Sequence, residues 1–490
     1  MLKKVLIANR GEIACRVMRT CKRLGIASVA VYHHEDRNAP HVAMADEKVQ
    51  LTGQVPTQAY LDQEQIVAAC KATGAEAVHP GYGFLSENAG FAKRITEAGI
   101  TFIGPDPEVI TLMGDKIISR EFAAKHGIPV APSAKQTGTI EAFIKEAAAI
   151  GFPLLIKASA GGGGKGMKIV RKTEELEENI RVAASEAQRY FSDGRVYAER
   201  LVDMPRHIEV QVLGDGKGNV VHLFERECSI QRRYQKVVEE SPAPNLPAKL
   251  RDEICASAVR LCAAAKYKNA GTVEFILGSK GEYYFLEMNT RLQVEHPVTE
   301  IVLGLDLVEE QLKIASGQGL ALKQSDIRQN GHALEVRVCA ERPEKDFQPA
   351  TGRVGVLRVP QGEGVRWDGG IREGQAVTPA FDSMLAKLIS YGPDRATAIG
   401  RLAGALRDTV LLGVPTNIDF LSRIMANPVF KDGKLHTGFI KEQGESLMPA
   451  PVPAATEAAV AVAALTITDD FQASAFHTPE PYASIGAWRN

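Results

Sequence analysis

A chain of 490 residues is longer than one hydrophobic core usually serves, so two to four domains are expected. With 45% apolar and 24% charged residues it has the balance of an ordinary soluble globular protein. A net charge of −1 argues against a protein held to nucleic acid or to a membrane surface by bulk electrostatics.

The chain opens with Met1-Leu2-Lys3-Lys4, which runs straight into an apolar strand over 5–8 and leaves no room for a signal peptide. A helix follows over 11–24, with Ile13, Val17, Met18, Cys21 and Leu24 on one face and Gly25 as its C-terminal stop. Strands over 28–32, 77–80 and 101–104 alternate with helices, which predicts a parallel sheet covered by helices. Glu35 and Asp36 stand where a ribose-binding acid could lie. The first turn, however, reads Asn9-Arg10-Gly11-Glu12 and not G-x-G-x-x-G, so a dinucleotide site is not expected.

A second unit starts near Pro129, with strands over 153–158 and 167–170 around a glycine cluster and an acidic, solvated helix over 173–188. A third, from about Pro205, is strand-rich: 207–213, 219–225, a hairpin over 271–289 and further strands from His332, with helices over 248–266 and 306–316. From Met448 the composition turns to Pro, Ala and Val, a linker leading to Pro481-Tyr482 and Ala487-Trp488. The apolar run over 458–465 is too short to span a bilayer. Seven cysteines include no Cys-x-x-Cys pair, so neither a zinc site nor a disulfide framework is indicated and the cytoplasm is the expected setting.

Four consecutive glycines, Gly161 to Gly164, sit in Ser159-Ala160-Gly-Gly-Gly-Gly-Lys165-Gly166. Their backbone entropy calls for a physical reason, and a loop whose N–H groups close on a polyphosphate supplies one. A merely flexible loop is the alternative; a Walker loop is excluded by the spacing. Lys116 and Lys157 are separate candidates for the phosphates, or plain surface lysines. In the hairpin, a turn over 278–281 would pair Leu277 with Glu282 and Glu274 with Phe285. Glu287 then becomes the diagonal neighbour of Glu274, with Asn289 on the same face. Two carboxylates and an amide oxygen suit magnesium bridging nucleotide phosphates; an exposed acidic face is the alternative. Arg291 can hold an oxyanion and Glu295 can act as a base on a bound acid, although Glu295 as a plain structural charge stays open. His296, before a proline, reads as structural. Residues 225–236 read as a solvated loop or as an anion site shared by Lys236 with Arg232 or Arg233, and Cys228 as packing.

These residues carry a resemblance over 4–444. Ala8-Asn9-Arg10-Gly11-Glu12-Ile13-Ala14, His79 through Asn88, Met113-Gly114-Asp115-Lys116, Lys157-Ala158-Ser159 with the glycine loop, and Glu287 through Pro297 are similar to biotin carboxylases, the ATP-grasp component of biotin-dependent carboxylases. The resemblance implies an α/β chain with an ATP-grasp fold: a Rossmann-like parallel-sheet domain (1–114), an ATP-grasp domain (115–330) with a mobile lid (131–203), a mixed-sheet C-terminal domain (331–447) and the start of a further domain (448–490). It implies an ATP-dependent ligase that carboxylates biotin through carboxyphosphate, as the first half-reaction of an acyl-CoA carboxylase.

It also implies the roles. Lys116, Lys157, Gly162, Gly163, Gly164, His207, Gln231 and Tyr234 hold ATP, with Glu199 and Val202 in the adenine pocket. Glu274, Glu287 and Asn289 carry two magnesium ions, for which manganese can substitute. Lys236, Arg291, Gln293 and Val294 hold bicarbonate, Glu295 deprotonates it, Arg337 stabilises the biotin enolate, Tyr82 lines the biotin side and Asp382 pairs with Arg337. The sequence departs from the family in three places. Tyr234 stands where many relatives have histidine. Arg23 replaces an acid used by some relatives at a dimer interface. No Met-Lys-Met is present, so biotin is borne on a carrier domain elsewhere, with a carboxyltransferase subunit as further partner and a homodimer or larger complex in view. Two rival readings are an ATP-grasp ligase with an amine acceptor, against which Arg291, Glu295 and Arg337 speak, and a non-catalytic scaffold.

Overall fold

The computed structural model describes residues 1–136, 138–159 and 167–448, together with 455–456, 458–460 and 462. Met1–Leu447 forms one compact unit and Met448–Asn490 another. The glycine loop, with Gly162, Gly163 and Gly164, and the segment from 463 onward lie outside the described residues.

The first 110 residues form a five-stranded parallel sheet of β1 (Lys4–Ile7), β2 (Ala27–Tyr32), β3 (Glu47–Gln50), β4 (Ala77–His79) and β5 (Thr101–Phe102), in the order β3-β2-β1-β4-β5. The unbroken apolar run Val5-Leu6-Ile7 suits a strand buried on both faces. The helix Gly11–Arg23 buries the expected stripe and also Glu12, Arg16 and Thr20, because protein covers its polar side too. Arg16 pairs there with Glu300 and Asp306, and Arg23 with Asp306 and Glu309 of the same chain. The chain leaves β1 toward β2 on one side and reaches β4 on the other, so a crevice opens beyond the carboxyl ends of β1 and β4. Asn9 bridges it by donating to the carbonyls of Pro80 and Tyr82, both at 2.8 Å. Asp36 is committed to structure: it takes Arg10 in a two-pronged pair at 2.6 and 2.7 Å and the Tyr60 hydroxyl at 2.7 Å.

A smaller antiparallel sheet, in the order β6-β9-β7-β8, comprises β6 (Ser133–Lys135), β7 (Leu154–Ala158), β8 (Lys168–Val170) and β9 (Val196–Arg200). Leu176, Ile180 and Ala183 of the helix Leu176–Phe191 pack into its core, and the charges of that helix face outward.

The largest sheet has eight strands and is antiparallel throughout. It runs β14 (Tyr283–Asn289), β13 (Lys268–Leu277), β10 (Arg206–Asp215), β11 (Val220–Arg232), β12 (Gln235–Ser241), β15 (His332–Cys339), then Met384–Gly392 and Val365–Gly369. The strands beyond residue 330 therefore extend this sheet through β12–β15 pairing, where a mixed sheet was expected within the same α/β class. The hairpin register also differs from expectation. Gly281 at φ +86 and the Glu282 carboxylate folding back onto the Lys280 N–H lengthen the turn, so Leu277 pairs with Tyr283. A bulge at Leu286 then brings Glu287 directly opposite Glu274. Residues 225–236 are not a solvated loop. They are the buried end of β11, a tight turn at Arg233 and Tyr234 (φ +49 and +66), and the start of β12. Buried charges on its adjacent strands β10 and β11 meet in pairs, Arg206 with Glu227 and Arg226 with Glu209.

Candidate active site

His207, Glu209 and Gln211 alternate along β10 with Ile208, Val210 and Val212, so one face of a central strand is wholly polar. That period-2 pattern is legible in the sequence and marks the floor of the site, which the motifs alone do not reveal. Lys236, from β12, reaches across this floor. Its ammonium donates to Glu209 at 2.5 Å, to Glu274 at 2.8 Å and to Glu295 at 2.6 Å. Burial alone would lower the proton affinity of Lys236; the three carboxylates outweigh it and hold the amine well above its ordinary value.

Glu295 is 2% exposed, and its second oxygen accepts from Arg337 at 3.0 Å. Burial pushes its carboxyl up, but Lys236, Arg337 and Arg226 outweigh that and keep it far below the usual carboxylate range. Glu274 is held low in the same way, against burial, by Lys236 and His207. One of its oxygens also accepts from Asn289 at 2.9 Å and Gln293 at 2.8 Å, and the other faces His207 Nε2 at 3.1 Å. Gln231 donates to His207 Nδ1 at 2.8 Å, which leaves the imidazole proton on Nε2, toward Glu274.

Glu287 lies opposite Glu274 with Lys116 at 3.3 Å, and Asn289 offers its Oδ1 to Arg291 at 2.9 Å. Arg291 also pairs with Glu87 at 2.8 Å. Glu274 and Glu287 at facing register positions on adjacent strands, with Asn289 two residues on and the Glu287 side chain 32% exposed, supply the oxygen donor types that suit a hard divalent cation keeping some of its waters. Two acidic clusters, His207–Glu209–Glu274 and Glu209–Cys228–Glu295, come close enough to ligate a metal, but the Lys236 ammonium already bonds Glu209, Glu274 and Glu295. Cys228 is fully buried, and burial lifts its thiol well above the ordinary value, as suits packing.

Other expected residues lie apart from this cluster. Lys157 is no surface lysine: it is 4% exposed and pairs with Glu199 at 2.9 Å, while Arg120 takes the other oxygen of Glu199 at 3.1 Å. Val202 is half-buried just beyond β9, and Tyr234 is 56% exposed at the β11–β12 turn. Arg232 stacks on Phe347 at 4.3 Å and Arg233 pairs with Asp346, so neither shares an anion site with Lys236. The expected Asp382–Arg337 pair is not formed. Arg337 on β15 faces β12, where Glu239 takes it at 2.6 Å, while Asp382 accepts the Met384 N–H at 3.0 Å. With Arg10, Tyr82 and Phe381, Asp382 lines a cavity of about 360 Å³ at the crevice of the parallel sheet. The Tyr82 hydroxyl donates to Glu12 at 2.5 Å, and the buried Lys387 joins Glu12 at 3.1 Å to the Val294 carbonyl at 2.8 Å.

Glu335 lies directly opposite Glu239 on β15 and β12, fully buried, with neither oxygen hydrogen-bonded. Burial lifts its carboxyl well above the ordinary 4.5; Lys387 opposes this and Glu239 adds to it. The folded protein therefore keeps a proton that the unfolded chain releases, and stability falls as pH rises above 4.5 toward the folded value. Glu335→Gln is expected to be more stable than the parent at pH 8 and to flatten this decline in urea unfolding; equal slopes for both proteins would contradict a protonated Glu335.

Comparison with known proteins adds three findings. Family models match in sequence order: biotin carboxylase, N-terminal domain, over 1–110; carbamoyl-phosphate synthase L chain, ATP binding domain, over 115–323; and biotin carboxylase C-terminal domain over 335–442. A biotin carboxylase of Nostoc is 48% identical over 443 residues, 90% of this chain and 99% of that protein. The mitochondrial methylcrotonoyl-CoA carboxylase subunit alpha of Mus musculus is 45% identical over 98% of this chain and 68% of its own length. The biotin carboxylase domain dimer of Hydrogenobacter thermophilus 2-oxoglutarate carboxylase, solved with MgADP, ADP and bicarbonate, superposes with a TM-score of 0.89 at 46% identity, covering 92% of this chain and all of that one.

Proposed function

The chain belongs to the biotin carboxylase family, and from that premise we propose how its residues divide the work of carboxylating biotin with ATP and bicarbonate. The observation that carries the reading is the Lys236–Glu295–Arg337 cluster, a buried carboxylate between two cations on a floor of further carboxylates.

Lys116, Lys157 and the glycine loop meet the phosphates, and His207, Gln231, Glu199, Val202 and Tyr234 surround the nucleotide. Lys157 would leave Glu199 for the phosphates, a change that the freely donating ammonium makes at little geometric cost. Glu274, Glu287 and Asn289 would hold magnesium, which supplies charge neutralisation of the transferring phosphate. Bicarbonate sits against Lys236, Arg291, Gln293 and the Val294 backbone. As its negative charge draws on Lys236, less positive charge is left to depress Glu295, whose proton affinity rises toward that of a working base. Glu295 takes the bicarbonate proton, the oxygen attacks the γ-phosphorus, and the bond to the β-phosphate oxygen breaks to release ADP. Carboxyphosphate then parts into carbon dioxide and phosphate. The phosphate takes the proton of the biotin ureido nitrogen, and the enolate, held against Arg337, adds to carbon dioxide. Tyr82 and the cavity beside it face biotin, with Asp382 on the cavity wall.

The division into 1–114, 115–330 with the lid 131–203, 331–447 and 448–490 remains our reading. The partners are a biotin carrier domain and a carboxyltransferase, with an acyl-CoA carboxylase as the assembly. Relatives named as carboxylase subunits and a dimeric relative support this, although Arg23 is spent on Asp306 and Glu309 within the chain. The seven free thiols support a cytoplasmic setting, and no helix among the described residues is long and apolar enough to cross a membrane.

The test is phosphate release by the purified chain with magnesium and bicarbonate, with and without free biotin. Biotin-stimulated release is the expected result. Release that requires bicarbonate but ignores biotin would remove biotin as the acceptor.

A further inference from the structure

Arg226 is among the largest fully buried side chains of the described residues, and all five of its N–H donors are used. Nε donates to Glu209 at 2.5 Å; Nη1 to Gln211 at 2.8 Å and Thr299 at 3.0 Å; Nη2 to Thr272 at 3.2 Å and Gln293 Oε1 at 2.8 Å. Its acceptors come from β10, β13, the helix His296–Leu303 and the stretch between β14 and that helix. A buried charge saturated in this way cannot turn without leaving a donor unpaired, so the guanidinium is a rigid reference point inside the sheet.

Gln293 is caught between two groups of opposite demand. A guanidinium only donates, so the end of the amide facing Arg226 must be the oxygen. The Glu274 carboxylate only accepts, so the end facing it, at 2.8 Å, must be the nitrogen. The amide cannot flip without creating two repulsive contacts at once. Of the two hydrogens on Nε2, one goes to Glu274 and the other is left to donate to an anion beside Lys236. Without Arg226 only the contact with Glu274 opposes the flip, and the flipped amide would turn its oxygen toward that anion and repel it.

We infer that Arg226 is a positioning residue for bicarbonate: it fixes the amide polarity of Gln293, so that an N–H and not a C=O faces the anion site. The inference rests on the reading of Gln293 as a bicarbonate ligand, and the experiment separates the two. Lysine at 226 keeps a charge beside Glu209 but lacks the planar fork.

Steady-state kinetics of Arg226→Lys, Gln293→Ala and the double variant test it, with KM for bicarbonate and for ATP measured side by side. Gln293→Ala and Arg226→Lys should each raise the bicarbonate KM by about ten- to a hundredfold, the worth of one hydrogen bond to a charged group, and leave the KM for ATP essentially unchanged. The double variant should be no worse than Gln293→Ala, because Arg226 acts through that amide. If Gln293→Ala leaves the bicarbonate KM unmoved, the ligand reading falls, and this inference with it. If Gln293→Ala raises it but Arg226→Lys does not, or if the two costs multiply, Arg226 is structural only and the inference alone is overturned. Should Arg226→Lys not fold, Thr272→Val with Thr299→Val, which removes two of the five acceptors, carries the same comparison.

Discussion

Glu295→Gln is expected to lower biotin-stimulated ATP hydrolysis by about 10²–10⁴-fold, the range of a lost general base, with nucleotide affinity unchanged. The amide matches the carboxylate in shape but cannot take the bicarbonate proton. Its neighbours survive the exchange: Lys236 keeps Glu209 and Glu274, and Arg337 keeps Glu239. One anion fewer then competes for those two cations, so bicarbonate should bind as well or better while turnover collapses. That split between kcat and the bicarbonate KM is the diagnostic result, read by steady-state kinetics beside calorimetric nucleotide binding. A variant with normal kcat and a raised bicarbonate KM would make Glu295 an orienting charge and leave the base elsewhere. The depressed proton affinity of Glu295 belongs to the cluster without bicarbonate, so the group starts ionised at neutral pH.

Much of this site is legible in the amino-acid sequence, but for unequal reasons. Glu274, Glu287 and Asn289 fall together because a strand alternates faces and a glycine-bounded turn sets the pairing. The detail fails by one residue at Leu277, where the turn is longer, and by two at Glu274, where the bulge at Leu286, which has no sequence signature of its own, adds another. Residues 225–236 mislead for the opposite reason. Dense charge usually marks solvent, and only the tertiary fold shows that Arg226 and Glu227 of β11 meet Glu209 and Arg206 on the neighbouring β10. The Asp382–Arg337 pairing fails because resemblance carries no geometry; Arg337 is satisfied across β12–β15 by Glu239, while Asp382 accepts the Met384 N–H. Arg226 itself belongs to no motif, because its role lies in what it bonds. The polar face of His207, Glu209 and Gln211 on an otherwise apolar strand is the one signal pointing toward it.

Arg337→Met should separate the two halves of the reaction. Arg337 donates to Glu239 at 2.6 Å and to Glu295 at 3.0 Å from a side chain that is 19% exposed, so it stands between the phosphate chemistry and the open biotin side. Carboxybiotin formation should fall by about 10²–10³-fold, the cost of losing one preorganised donor to a developing oxyanion. Bicarbonate-dependent ATP hydrolysis without biotin should persist, because Lys236 still orients Glu295. Its pH profile should change in a definite direction. Arg337 is one of the cations that hold Glu295 down, so removing it raises the Glu295 carboxyl, and the acid limb of the hydrolysis profile, where the base becomes protonated, moves to higher pH. Measuring carboxybiotin and phosphate in parallel across pH distinguishes the cases. Parallel loss of both products would place Arg337 in the phosphate step as well. Loss of carboxybiotin alone, with the acid limb shifted upward, is the outcome that the shared guanidinium predicts.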